Sequence, residues 1–161
     1  MYKLVLILAM LSVWITVHLM QVEEELAMKT LTQGKRAINR AAHAAAQQVD
    51  KIALSEGVVR IDESAASREA ALYLQQNLQL DANGRPLPNS FLRQPVEVLV
   101  FEVINSGETF PYRYRNQTYH YEVELRSPGV IMIARVTFPR AFAVLEPIKW
   151  EIRGAAELVV G

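Results

Sequence analysis

The residue types that most often perform chemistry are few in this sequence and lie far apart. The three histidines, His18, His43 and His120, have no second ligand at the spacing of a metal site. The absence of cysteine excludes thiolate metal sites, disulfides and cysteine nucleophiles. Gly34-Lys35 lacks the earlier glycine of a phosphate-binding loop, and no Gly-x-Ser-x-Gly sequence marks a serine nucleophile. We therefore predict no enzyme, with no catalytic residue, metal ligand or cofactor.

Glu102 is unusual because it stands in an otherwise apolar stretch, and two interpretations of it remain open. One is a buried functional carboxylate whose surroundings shift its pKa. The other is a structural residue that sits at a strand edge or pairs with an arginine. Four arginines are candidate partners: Arg113, Arg115, Arg126 and Arg135.

Aromatic and acidic clusters also have two interpretations each. The tyrosines between Tyr112 and Tyr121, with arginines interleaved, have the composition of a surface that stacks on bases, but such residues are also ordinary in strands. The formal net charge is +0, whereas a nucleic-acid groove needs net positive charge. This favours the interpretation of the tyrosines as ordinary strand residues and predicts no nucleic-acid partner. The run Glu23-Glu24-Glu25 suggests a solvated collar rather than a metal or partner site.

The element that positions everything else is an apolar segment at the N-terminus. Leu4 to Met20 contain no charged residue and would span about 26 Å as a helix at ~1.5 Å per residue, close to the thickness of a hydrocarbon core. We predict a transmembrane anchor over residues 1–22. Its representative lipid-facing residues are Leu4, Leu8, Leu11, Trp14 and Leu19.

The residues that flank the segment predict its orientation. Lys3 precedes it and acidic residues follow it, so the positive-inside rule favours a cytoplasmic N-terminus, with the C-terminal domain outside the cytoplasm. A cleaved signal peptide is the alternative for this segment. No small-x-small motif follows the apolar run, which favours an anchor that is kept.

Helical periodicity continues beyond the apolar run and predicts one helix from about Lys3 to about Leu54. Gly34 is the position at which we expect a kink in this helix. We assign residues 23–57 to its amphipathic continuation, whose small and aliphatic face is expected to pack on the rest of the fold. That face is formed by Leu31, Gly34, Ile38, Ala41, Ala45 and Val49.

The remaining residues, 58–161, predict a domain outside the cytoplasm. Asp62 and Ser64 are suited to cap a second, short helix. Strand-like stretches follow at Val96 to Ile104, Tyr112 to Arg126, Val130 to Phe138, and around Trp150. We pair the second and third of these as a hairpin around a Ser-Pro-Gly turn. Helices first and strands later predict an α+β fold, with the long helix on an antiparallel sheet of about four strands.

This layout resembles that of type IV pilins and, more specifically, of TadE/TadG-like pseudopilins of tight-adherence pili. The similar stretches are Arg40 to Asp50 after the apolar segment and Ala70 to Asn77 before the strands. Unlike type IV prepilins, this chain has no glutamate inside its apolar run. The resemblance implies a membrane-anchored minor pilin or pilus-assembly component.

Such a component would have the membrane and other pilin-like or envelope-assembly proteins as partners. It would form homo- or hetero-oligomers through its N-terminal helix. The alternative is an extracytoplasmic sensing or ligand-binding domain on a single-pass anchor, with a pocket around Glu102 and the tyrosines.

Overall fold

The computed structural model describes residues 2–140 and 146–159. The described chain is α+β, as predicted, with its helices before its strands. The helices are α1 (Tyr2–Ala46), α2 (Lys51–Ser55) and α3 (Glu63–Leu78), and the strands are β1 (Glu97–Ile104), β2 (Tyr112–Asn116), β3 (Tyr121–Leu125), β4 (Gly129–Phe138) and β5 (Ile148–Glu157).

The first helix ends at Ala46, so the predicted single helix to about Leu54 is wrong. Val49 leaves the helix and forms an isolated antiparallel bridge with Ile61. Asp50 then starts α2, because its side chain accepts hydrogen bonds from two backbone amides of that helix at 3.0 and 3.1 Å. The helical spacing of apolar residues simply continues from α1 into α2, which hid the break.

The predicted second helix is confirmed, together with its cap. The Asp62 side chain accepts a hydrogen bond from the backbone amide of Ala65 at 2.9 Å and satisfies a free donor at the start of α3. Gln79 ends the helix in the left-handed region, at φ 53°. α3 packs along α1, and alanines on both helices are buried between them.

The strands form two separate sheets, which corrects the predicted pairing. One sheet has the order β1-β4-β5 with both pairings antiparallel, and β2 pairs only with β3. The stretch predicted as one strand, Tyr112 to Arg126, is therefore itself a hairpin. Its turn is closed by Asn116, whose side-chain oxygen accepts from the Tyr119 amide, and by His120 at φ 47°. The central place of β4 follows from its burial on both faces from Val130 to Ala134.

Helix α1 lies across one face of the three-stranded sheet. Two glycines let the backbones approach: Gly34 of α1 faces Ile152, and Gly154 of β5 faces Ile38. The helix continues through Gly34, and the absence of a side chain there permits this close packing. The kink expected at Gly34 stays a prediction. The main core between the helices and this face includes Ile38, Leu78, Met132 and Val136.

The β2–β3 hairpin covers part of the opposite face of the sheet. A second, smaller core forms there from Ile104, Tyr114, Leu125 and Ile131. Away from the hairpin the same face is polar. Arg135 of β4 lies between Glu97 of β1 and Glu151 of β5, with both ion pairs at 3.1 Å.

Candidate functional site

The N-terminal half of α1 is the most unusual surface of the described chain. Every residue from Tyr2 to Met20 is exposed, although almost all of them are apolar. The predicted anchor residues are all between 48% and 64% exposed: Leu4, Leu8, Leu11, Trp14 and Leu19. Soluble proteins rarely expose a continuous apolar surface of this size. Among the described residues, α1 is a helix that is long and apolar enough to cross a membrane.

The two hydroxyl side chains in this apolar half make hydrogen bonds to the backbone of their own helix. The Ser12 hydroxyl donates to the Leu8 carbonyl and the Thr16 hydroxyl donates to the Ser12 carbonyl, each at 2.9 Å. The His18 ring stacks on Trp14 one turn earlier, with centroids 5.6 Å apart. A helix that satisfies its polar groups internally is suited to an apolar environment.

The second half of α1 has the opposite surroundings. Of the predicted packing face, Gly34, Ile38, Ala41 and Ala45 are buried in the fold. Leu31 is half-buried against the same core. Val49 packs against that core too, but from beyond the end of α1. One continuous helix is therefore bare and apolar at one end and embedded in a folded domain at the other.

The structure does not bring the histidines together. His18 is on the apolar half, His43 is exposed near the end of α1, and His120 occupies the β2–β3 turn. Within residues 2–140 and 146–159, no three His, Asp or Glu residues are grouped so that they could hold a metal ion.

Glu102 lies on β1, an edge strand of the three-stranded sheet, which agrees with the interpretation of a strand-edge residue and not with that of a buried carboxylate. It is exposed on the face of β1 that the hairpin approaches, and its Oε1 accepts a hydrogen bond from the Tyr114 hydroxyl at 3.0 Å. Two of the candidate arginines form ion pairs, but with other carboxylates. Arg113 pairs with Glu122, and Arg135 pairs with Glu97 and Glu151. Glu102 thus fastens the hairpin to the sheet.

The tyrosines are structural in the described chain. Tyr114 is buried and its ring contacts that of Tyr121, with centroids 6.4 Å apart. Burial raises the pKa of both phenols above the ordinary tyrosine value, and the hydrogen bond to Glu102 raises the pKa of Tyr114 further. Tyr112 packs in the same second core. Rings held in this way cover the sheet and are not presented as a stacking surface.

Two grooves border α1 where it passes the end of the sheet. The first runs between α1 and β5, and includes Lys35, Lys149 and Arg153 in its lining. The second, of about 310 Å³, lies where the apolar half of α1 meets the ends of β4 and β5. Its lining residues are Val17, Met20, Gln21, Glu23, Glu24, Ala27, Arg140 and Ile148. Sequence reasoning missed this second groove, because nothing in the sequence places Arg140 and Ile148 beside Met20.

Comparison with known proteins gives no match. No protein-family model, curated protein or solved structure is similar to this chain.

Proposed function

We propose that this protein is a single-pass, membrane-anchored, pilin-like protein that takes part in assembling an envelope structure and has no enzymatic role. The observation that carries the proposal is the division of α1. The helix is exposed and apolar from Tyr2 to Met20, yet one face of the same helix is buried in the folded domain from Ala27 onward. A rigid rod therefore joins an apolar end to a folded domain.

The length of the exposed half supports a membrane-spanning role. About twenty apolar residues are needed to cross a hydrocarbon core of about 30 Å as a helix. Tyr2 to Val22 approaches this length, and the run ends at three consecutive glutamates. If water instead of lipid surrounded this surface, hydration of its apolar side chains would carry a high free-energy cost.

The proposed orientation places Lys3 and the N-terminus in the cytoplasm and residues 23–161 outside. In this arrangement the acidic collar lies just beyond the bilayer. The α+β domain would then project from the membrane on the second half of α1. That domain would present its surfaces to other envelope proteins.

The pilin-like role rests on layout. An exposed apolar half-helix that continues into a helix packed on an antiparallel sheet is the plan that the sequence resembles. Apolar half-helices of several copies or partners would pack on each other inside the membrane, since side-chain packing and interhelical hydrogen bonds drive helix association there.

The membrane part is tested by fractionation of the full chain and of a variant lacking residues 1–22. We expect the full chain to stay in the membrane pellet after carbonate washing and the shortened chain to leave it. The chain has no cysteine, so single substitutions report topology cleanly. Gln117→Cys should react with a membrane-impermeant maleimide in intact cells, whereas Lys3→Cys should not. Release of the full chain by carbonate would overturn the anchor.

The assembly part is tested by crosslinking in the membrane. Single cysteines at successive positions from Leu4 to Leu19 should form disulfide-linked oligomers with helical periodicity. Gly107→Cys, in an exposed turn of the folded domain, is the control. Capture of only monomers at every position of the helix, together with no crosslinked envelope protein, would contradict an assembly role.

A further inference from the structure

The groove between α1 and the ends of β4 and β5 is lined by both apolar and charged residues. Val17 and Met20 of α1 and Ile148 of β5 supply apolar surface. Charged groups are added by Glu23 and Glu24 on the helix and by Arg140 just after β4. The groove is therefore amphipathic, with an apolar part that adjoins the bare half of α1.

The position of the groove along α1 matches the boundary of the proposed bilayer. From Val17 to Ala27 the helix rises about 15 Å, at ~1.5 Å per residue. Met20 lies near the end of the apolar run, and Glu24 stands roughly 6 Å above it along the axis. Lipid headgroups extend ~5–8 Å beyond each side of the hydrocarbon core. The charged part of the groove thus coincides with the headgroup layer, and the apolar part with the upper ends of the acyl chains.

The charges in the groove suit one class of headgroup. A guanidinium binds a phosphate through charge-assisted hydrogen bonds. A carboxylate binds a primary ammonium in the same way. The groove offers both, through Arg140 and Glu24. A zwitterionic headgroup with a phosphate and an ammonium would therefore complement both Arg140 and Glu24, whereas an anionic headgroup without an amine would offer no ammonium to Glu24.

We propose that this groove binds one aminophospholipid of the phosphatidylethanolamine type. Its phosphate would lie at Arg140, its ammonium at Glu24, and the start of an acyl chain along Val17, Met20 and Ile148. This inference rests on the proposed membrane anchor. A lipid held there would join the β4–β5 end of the sheet to the bilayer surface and so fix the angle at which the domain stands on the membrane.

The test purifies the full chain from membranes in a mild detergent and measures bound lipid by native mass spectrometry. It then adds equal amounts of phosphatidylethanolamine and phosphatidylglycerol with the same acyl chains. We expect one retained lipid per chain and about tenfold preference for phosphatidylethanolamine, which corresponds to ~1.4 kcal/mol. Glu24→Gln should abolish the preference, because only phosphatidylethanolamine carries the ammonium, whereas Arg140→Gln should weaken retention of both lipids, because both carry the phosphate.

Two matched controls separate the groove from general charge effects. Glu25→Gln removes an adjacent glutamate that does not line the groove, and Arg115→Gln removes an exposed arginine of the hairpin. Both should retain the lipid as the unaltered chain does. Soluble phosphoethanolamine without acyl chains should not displace the lipid, since it lacks the apolar contact.

The outcomes are distinguishable from failure of the anchor itself. A full chain that leaves the membrane on carbonate washing overturns both the anchor and this site. A chain that stays in the membrane but retains both lipids equally, or keeps its preference in Glu24→Gln, overturns only the lipid site. Displacement by soluble phosphoethanolamine also overturns it, because the ligand would then be a small molecule.

Discussion

Gly34 of α1 lies directly against Ile152 of β5: a Cβ built on Gly34 would stand 2.8 Å from Ile152 Cδ1. This close approach fixes the distance between the long helix and the edge strand of the sheet. The apolar half of α1 is continuous with the packed half, so this contact also helps to hold the domain relative to the exposed rod. The size of the side chain that position 34 can accommodate is directly testable.

We expect Gly34→Ala to change the free energy of unfolding by less than about 1 kcal/mol. Alanine gains ~1 kcal/mol of helix propensity, and the flexible end of Ile152 is able to move aside. Gly34→Leu should destabilise by ~1–3 kcal/mol through overpacking, and Ile152→Ala should restore part of that loss. Thermal unfolding of the full chain in detergent measures both effects.

The matched control is Gly107→Leu, because a Cβ at Gly107 meets nothing within 4 Å. It should leave the unfolding midpoint almost unchanged. A Gly34→Leu chain as stable as its Gly107→Leu counterpart would mean that α1 does not pack on β5 as described.

Ile38 and Ile52 carry the same side chain in opposite surroundings. Ile38 is 0% exposed in the main core and Ile52 is 76% exposed on α2. Ile38→Ala should cost ~2–5 kcal/mol by leaving a cavity between helix and sheet. Ile52→Ala should cost little. Denaturant unfolding of the two variants side by side would contradict the burial of α1 if they lost equal stability.

Asp50 and Asp62 make stability depend on acid pH. Backbone amides at the helix starts lower the pKa of both carboxyls, with further help to Asp50 from Arg60 and to Asp62 from Ser64. A lowered folded-state pKa means that the stabilisation is complete above the unfolded-state value, at about pH 4, and is lost as the pH falls through the folded-state value.

The double variant Asp50→Asn, Asp62→Asn keeps the caps but removes the titrating charges. The unfolding midpoint of the variant should therefore fall less than that of the unaltered chain between pH 5 and pH 2. Thermal scans across this range check the difference. Parallel curves for the two proteins would show that the carboxylates make no such contribution.

The Tyr114 hydroxyl should contribute to stability and to its alkaline limit. Tyr114→Phe removes the hydrogen bond to Glu102 and should cost ~0.5–1.5 kcal/mol near neutral pH. Because burial raises the folded-state pKa of Tyr114, the unaltered chain loses stability as the pH rises past about 10. The variant should lose less over that range.

Ultraviolet titration of tyrosinate would also resolve Tyr114, which should ionise later than an exposed phenol. Tyr73→Phe is the control, since Tyr73 is exposed on α3. An equal stability loss in both variants would argue against the Tyr114–Glu102 bond.

A charge in the middle of the exposed half of α1 should impair membrane insertion. Leu11→Arg places a cation near the centre of the proposed span, at a cost of ~2.5–3.5 kcal/mol on insertion scales. We expect a measurable shift of the chain from the membrane to the soluble or aggregated fraction. Leu72→Arg, on an exposed position of α3, should leave the distribution unchanged. Identical fractionation of the two variants would contradict a transmembrane role for this segment.

Local patterns in the sequence determined much of this protein. The unbroken apolar run predicted the exposed half of α1, and Asp62 predicted the start of α3, because helix periodicity and capping act within a few residues. Composition likewise predicted β1, the turn before Val130 indicated β4, and alternation predicted β5. These features depend on neighbours along the chain, which the sequence displays directly.

Only the tertiary structure decided which of these elements meet. β4 pairs with β1 and β5 and not with the Tyr112 to Arg126 stretch, because a strand buried on both faces requires the central place in a sheet. The contact of Gly34 with Ile152 is likewise visible only in the fold, since the two residues are 118 positions apart in the sequence. The groove at Met20 likewise exists only because the fold returns Arg140 and Ile148 to the helix. Contacts between residues so distant in sequence leave no periodic signal, since they depend on how separate elements pack in three dimensions.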